Sequence, residues 1–320
     1  MVIIPYLKQG YTMSKRPTLL QHFRSFAYQN NITNFNVALE YFTVFGGTGW
    51  DIDTSKSVDE LIKKKVLCNY EDLHKGVINF THGNGLYHLM LTIIALGVEY
   101  EDSVFKKAGV GRDKGEEAMD YLELKSLLKF DTSLEEPRNE RYKQSDKLLF
   151  EFPFMRFWFA TISPYYQSIS TGDFCEFEAK WSTLRGNFSI LLSNHLVLEL
   201  VKERFMKKFE SDPIVSMGSY YDKKIEISIL AKRKSGKLLV GECKYSKAEA
   251  KMHMISSLKE KCEKVGLEVD EYVLFSKNGF TSELKELGDD NLMLLTNEDF
   301  SSLLDGLSDK DLLVYKNKKY

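Results

Sequence analysis

Two apolar stretches, Lys224-Ile225-Glu226-Ile227-Ser228-Ile229 and Leu238-Leu239-Val240-Gly241-Glu242-Cys243-Lys244, flank a polar turn at Arg233-Lys234-Ser235-Gly236 and constrain the fold more than any other feature of the chain. Both are strand-like, and a turn of this length predicts an antiparallel hairpin. Strands this apolar seldom carry charge without a use for it. Glu242 and Lys244 are two apart and so are expected on one face of the sheet. Closing the hairpin is expected to bring Glu226 to within about one residue of lying opposite Glu242. Two carboxylates and an ammonium at one spot are the elements that hold a divalent cation and a water against a phosphodiester. The plainer alternative is a cross-strand ion pair between Glu226 and Lys244, worth a few tenths of a kcal/mol.

What surrounds the hairpin sharpens the fold class. An amphipathic helix, about Ile190 to Phe209, precedes it and carries Leu191, Leu198, Val201, Phe205 and Phe209 on its apolar side. Strands are expected at about Ile214 to Tyr220, Lys224 to Ala231 and Lys237 to Tyr245. A helix from Ala248 to Val265 follows, then a strand from Glu271 to Ser276, a short helix from Thr281 and a strand from Leu292 to Leu295. The order α-β-β-β-α-β-(α)-β is an α/β layer fold with a mixed sheet. Cys243, between Glu242 and Lys244, alternates to the other sheet face and reads as a small buried hydrophobe. His195 and His253 have no second ligand at metal spacing and read as structural.

The chain ahead of this domain is mainly helical. Residues 1–85 are aromatic-rich, with Phe23, Phe26, Phe35, Leu39, Phe42 and Phe45 near helical spacing, which predicts a helix core. Residues 86–153 read as three helices, Leu86 to Leu96, Glu101 to Lys107 and Asp113 to Lys129, then a hairpin using Glu135 to Glu140 and Lys147 to Phe150. That is a winged-helix arrangement, whose third helix commonly enters a DNA groove. Its charge opposes that use, since Arg112 to Asp131 holds 4 basic and 6 acidic residues. Packing or homodimerisation suits such a helix better. Residues 154–186 form an aromatic connector beginning Phe154-Met155-Arg156-Phe157-Trp158-Phe159, which reads as core before it reads as a base-stacking platform. The last segment, 187–320, is the α/β domain.

Composition narrows the function classes. At 320 residues, 43% hydrophobic and 13% aromatic, the chain can bury more than one core, and its net charge of −2 requires any nucleic-acid affinity to be local. Charge is indeed uneven: Glu199 to Lys264 holds 16 basic against 10 acidic residues, and the rest of the chain from Val265 holds 6 against 12. Four scattered cysteines give neither a zinc pattern nor a disulfide framework. No apolar run is long enough to span a bilayer and no signal pattern opens the chain, so no membrane is expected and the cytoplasm is the default compartment. Neither Gly46-Gly47-Thr48-Gly49 nor Gly109-Val110-Gly111-Arg112-Asp113-Lys114-Gly115 fits a P-loop, so no nucleotide is expected.

The order of acid on a helix (Glu199 or Glu203), acid on the second strand (Glu226) and Glu-x-Lys on the third (Glu242, Lys244) resembles the PD-(D/E)xK nuclease superfamily, with its restriction-endonuclease-like fold. More narrowly, Leu198-Glu199, Gly218-Ser219-Tyr220-Tyr221, Ile225-Glu226-Ile227, Gly241-Glu242-Cys243-Lys244 and Leu274-Phe275-Ser276-Lys277-Asn278-Gly279-Phe280-Thr281 are similar to the nuclease-like domain of unknown function at the C-terminus of archaeal-type ATPases. The likeness runs from about Leu86 to the end. The ATPase domain that comes first in those proteins has no counterpart motif in this sequence, which removes nucleotide-driven remodelling from the expected function. The resemblance implies hydrolysis of DNA phosphodiester bonds with Mg²⁺ or Mn²⁺ on Glu226 and Glu242, Lys244 orienting or deprotonating the attacking water, and Glu199 as third acid. Lys202, Lys207, Lys208, Lys223, Lys224, Arg233 and Lys247 are expected to form a basic rim for the DNA backbone. The family usually has Asp where this chain has Glu226, one methylene longer. The alternative is therefore a catalytically inactive nuclease fold serving as a DNA-binding or protein-interaction module.

Overall fold

The computed structural model describes residues 17–208, 210–287 and 290–313. It divides into two compact units. The first comprises the described residues up to 130, 147–189 and from 304 on, and the second comprises 131–146 and 190–303. The boundaries at 85 and 153 expected from sequence fall inside the first unit. Among the described residues no helix is long and apolar enough to cross a membrane.

The first unit contains α1 (Leu19–Gln29), α2 (Phe35–Phe45), α3 (Val58–Leu61), α4 (Tyr70–Thr81), α5 (Gly85–Ala95), α6 (Glu101–Ala108), α7 (Arg112–Leu124), α8 (Pro153–Phe157), α9 (Tyr166–Ser170) and α10 (Cys175–Leu184). Between α7 and α8 run the paired strands β1 (Leu128–Asp131) and β2 (Lys147–Phe150). Thr18 starts α1 with a capping box, its hydroxyl accepting from the Gln21 N–H while the Gln21 side chain accepts from the Thr18 N–H. The six apolar residues placed at helical spacing on α1 and α2 are all buried, as predicted. The aromatic block is core as well: Phe154, Phe157, Trp158 and Phe159 are fully buried, with Trp50 edge-on to Phe154 and Trp181 edge-on to Phe157, each at 5.3 Å.

The sequence misplaces one boundary here. The helix expected to reach Lys129 ends at Leu124, because Ser126 takes a φ of 56° and the Leu127 N–H turns back to the Leu122 carbonyl. The residues released become β1, so the strand partner of β2 is Leu128–Asp131 and not Glu135 to Glu140. Inside α7, Gly115 lets Phe105 of α6 approach so closely that a Cβ there would lie 2.6 Å from the ring. Helix packing is thus a use this acidic helix demonstrably has.

The second unit contains α11 (Ile190–Lys208), β3 (Ile214–Tyr221), β4 (Glu226–Arg233), β5 (Leu238–Lys244), α12 (His253–Val265), β6 (Glu271–Ser276), α13 (Ser282–Lys285) and β7 (Leu292–Thr296). Phe209, expected on the apolar side of α11, lies outside the described residues. The five strands lie in the order β3-β4-β5-β6-β7, antiparallel from β3 to β5 and parallel from β5 to β7, which is the mixed α/β sheet that the element order predicts. One face packs on α12: Ile227, Leu230, Val240 and Leu274 meet Ile255, Leu258 and Cys262 in a single core. The segment 131–146 covers the β3 edge, with the Leu134 N–H on the Ser219 carbonyl and the Tyr221 N–H on the Ser133 hydroxyl. This satisfies edge groups that would otherwise template pairing with another chain.

β5 is the central strand, and Gly241 is its tightest point. It pairs with Ile229 on one side and Val273 on the other. A Cβ there would sit 2.6 Å from the Val273 carbonyl oxygen and 3.0 Å from Ile229 Cδ1. Because one of those atoms is backbone of a paired strand, Gly241→Ala is expected to destabilise the second unit by about 1–3 kcal/mol, read from the midpoint of urea unfolding.

In the first unit His22 is buried edge-on to Phe152 at 5.4 Å. Desolvation, reinforced by the Lys129 charge, holds its imidazole down from 6.5 to about 4. The unfolded chain therefore takes up a proton near pH 6.5 that the folded unit refuses until about pH 4, so stability is intact above that window and falls as pH drops through it. The expected loss is about 3 kcal/mol. Thermal melts across the window check it, and His22→Leu is expected to flatten the fall.

Candidate functional site

The hairpin closes as the sequence predicts. The Arg233 N–H bonds the Lys237 carbonyl and Gly236 takes a φ of 90° to complete the turn. Its register, with Ile229 against Gly241 and Leu230 against Val240, brings Ser228 level with Glu242. The Ser228 hydroxyl donates to Glu242 Oε2 at 2.8 Å. The opposite oxygen, Oε1, accepts from Lys261 Nζ of α12 at 2.5 Å. Lys261 also donates to the main-chain carbonyl of Glu226 at 2.8 Å. Glu242 is mostly buried, with 16% of its side chain exposed, so these two donors supply most of its solvation.

Glu226 does not meet Glu242 as expected. A bulge lies between the pairs Gly218–Leu230 and Tyr220–Ile227, and one extra β4 residue there reverses the alternation. Ile227 consequently joins Leu230 in the core under α12. Glu226 pairs with Tyr221 and turns to the other face of the sheet, where it is exposed. Glu242 and Lys244 do share a face, but Lys244 Nζ donates to the Glu249 carbonyl at 2.8 Å. Glu199 is half-buried on α11. Five residues on, Arg204 of α11 reaches Asp299, beside Phe300, which packs on Phe275. Phe275 alternates with Leu274, so Phe300 and the Arg204–Asp299 pair beside it stand toward the sheet face opposite to that of Glu242.

With Lys261 and Ser228 in place, the donor set does not fit a divalent cation. Mg²⁺ and Mn²⁺ ask for several convergent oxygens, here led by two carboxylates. Among the described residues no group of three or more His, Cys, Asp or Glu side chains stands together as a metal site. The strand carboxylate that faces α12 among the described residues, Glu242, is already engaged by an ammonium. Burial, with the Glu242 charge adding, pushes the Cys262 thiol up to about 11 and the Cys243 thiol up to about 12.

The expected basic rim is only partly a rim. Lys202 and Lys247 are exposed. Lys207 pairs with Glu203 at 2.5 Å, Lys208 donates to the Asp290 carbonyl, Lys223 donates to the Arg141 carbonyl and Lys224 lies over the Tyr142 ring at 3.9 Å. These four keep their heads at the surface. Arg233 does not: it is 6% exposed and bonds Glu271 at 3.0 Å and Asp212 at 2.9 Å. It is the last residue of β4, paired with Ile214 of β3, and two carboxylates make its burial tolerable.

Ser228 and Lys261 escape a reading of the sequence. Ser228 could have been found from the hairpin turn alone, once Leu238 is set against Lys232. Lys261 lies three residues after the buried Leu258 and one before the buried Cys262, on the flank of the apolar stripe of α12. A lysine at such a position packs its stem on the core and can carry its charge to a strand carboxylate.

Residues 158–255 match the family model DUF234, described as archaea bacterial proteins of unknown function. This is the domain found at the C-terminus of archaeal-type ATPases, and the match runs through α11 and β3 to β5 into the start of α12. No curated protein and no solved structure matches the chain.

Arg233→Ala would leave Glu271 buried without its cation. It is expected to cost about 3 kcal/mol of stability in urea unfolding, whereas a rim arginine would cost almost none.

Proposed function

We propose that the second unit is a nuclease-like scaffold of the PD-(D/E)xK type that works as a non-catalytic module binding the DNA backbone, with α5 to α7 and β1–β2 as a winged-helix element of the same chain. The observation that carries this reading is the state of Glu242. Both of its oxygens are taken by donors of the chain itself, Ser228 and Lys261, while Glu226 faces the other way. Phosphodiester hydrolysis of this type needs a charge that attracts a metal and a water; a carboxylate neutralised from within offers neither. DNA as the partner is supported by the excess of 16 basic over 10 acidic residues from Glu199 to Lys264 and by exposed lysines such as Lys202 and Lys247. The acidic α7 is suited to packing within this scheme, and groove reading is no part of it.

A second reading, a metal-dependent nuclease, is favoured by one observation: Glu242 and Lys244 share one face of the central strand. A single set of measurements separates the two. Fluorescence anisotropy with labelled duplex DNA is expected to show binding that weakens steeply with salt, and Lys202→Ala and Lys247→Ala are each expected to lower the slope of log K against log salt by about one. Incubation with plasmid and Mg²⁺ or Mn²⁺ is expected to leave the DNA intact. Metal-dependent cleavage that disappears in Glu242→Ala would establish the second reading in place of the first.

A further inference from the structure

Lys261 does more than close a surface ion pair. We propose that its ammonium is a built-in replacement for the divalent cation of a nuclease-type site, so that the chain supplies internally the positive charge such a site draws from solution. The inference rests on the reading of the second unit as a nuclease-like scaffold. Its evidence is geometric. Lys261 Nζ lies 2.5 Å from Glu242 Oε1 and 2.8 Å from the Glu226 carbonyl oxygen, and the remaining Glu242 oxygen is bonded by Ser228. Carboxylate and carbonyl oxygens are the hard donors that Mg²⁺ and Mn²⁺ prefer, and here one of each converges on the Lys261 ammonium.

The placement is not that of a wandering side chain. Lys261 is carried by α12, which Ile255, Leu258 and Cys262 anchor in the core against β4 and β5. Its ammonium bridges both hairpin strands, one through a side chain and the other through backbone. A divalent ion cannot approach Glu242 Oε1 while that ammonium remains, because two cations on one carboxylate oxygen repel at short range in a partly buried setting. Cation entry therefore requires Lys261 to leave. The other charged side chain on the same strand face, Lys244, is also a cation.

The test titrates Mn²⁺, followed by the loss of its free-ion electron paramagnetic resonance signal, into the full chain as wild type, Lys261→Ala and Lys261→Met, and into each variant combined with Glu242→Gln. Wild type is expected to bind no Mn²⁺ at this site, and the Lys261 variants, which leave the Glu242 carboxylate, the Glu226 carbonyl and the Ser228 hydroxyl free to share one ion, are expected to gain one weak site, lost on adding Glu242→Gln. Equal, Glu242-dependent binding by wild type overturns the proposal, and so does a folded Lys261 variant that binds none. A readout on the unaltered chain stands beside it: amine acylation followed by mass spectrometry is expected to modify Lys261 at least tenfold more slowly than Lys259 and Lys264 on the same helix. Reactivity equal to theirs overturns the proposal even if neither variant folds. DNA cleavage by the wild-type chain would overturn the non-catalytic reading, whereas a folded Lys261 variant without Mn²⁺ overturns this inference alone.

Discussion

The second unit is organised around the close approach of three backbones at Gly241, where β5 is pressed between Ile229 of β4 and Val273 of β6 with no room for a Cβ. A central strand paired on both sides has its register set by two neighbours at once, so it cannot slip by one residue without turning every core side chain to the wrong face. That register puts Val240 and Glu242 on the α12 side, the first in the core and the second at its border. The apolar and the charged positions of Gly241-Glu242-Cys243-Lys244 are thus decided together. A carboxylate at the border of a core must find donors, and the structure supplies them from β4 and from α12.

The same logic governs a buried charge elsewhere in the unit. Arg233, at the turn end of the hairpin, ties Asp212 before β3 to Glu271 at the start of β6. Glu242 and Arg233 therefore mark the two ends of one hairpin, each neutralised by a residue distant in sequence. Buried pairs of this kind are weak sources of net stability but severe liabilities when one partner is lost, which makes them better at selecting one arrangement than at strengthening it.

Much of this architecture was legible beforehand. The helical spacing of Phe23, Phe26, Phe35, Leu39, Phe42 and Phe45 predicts their burial, and the strands, turn and order of the α/β unit fall close to where alternation puts them. The misses have specific causes. Ser126, with its positive φ, stops α7 five residues before periodicity would. The bulge in β4 defeats a period-two argument for Glu226, because one extra residue reverses the face of everything beyond it. Lys261 was invisible because its partner lies on a strand 19 positions away, and nothing in the helix itself marks which lysine will turn inward.

What the sequence by itself determined is the set of elements and the face shared by Glu242 and Lys244, since those depend on local periodicity and on a short turn. What only the tertiary structure decided is what those charges do. Local spacing sets which residues can be neighbours along a strand or helix. The company a carboxylate keeps across a sheet depends on bulges and helix placement that bring distant residues within hydrogen-bond reach. In this chain that difference separates an open acidic pair awaiting a metal from a single glutamate held by a serine and a lysine of its own.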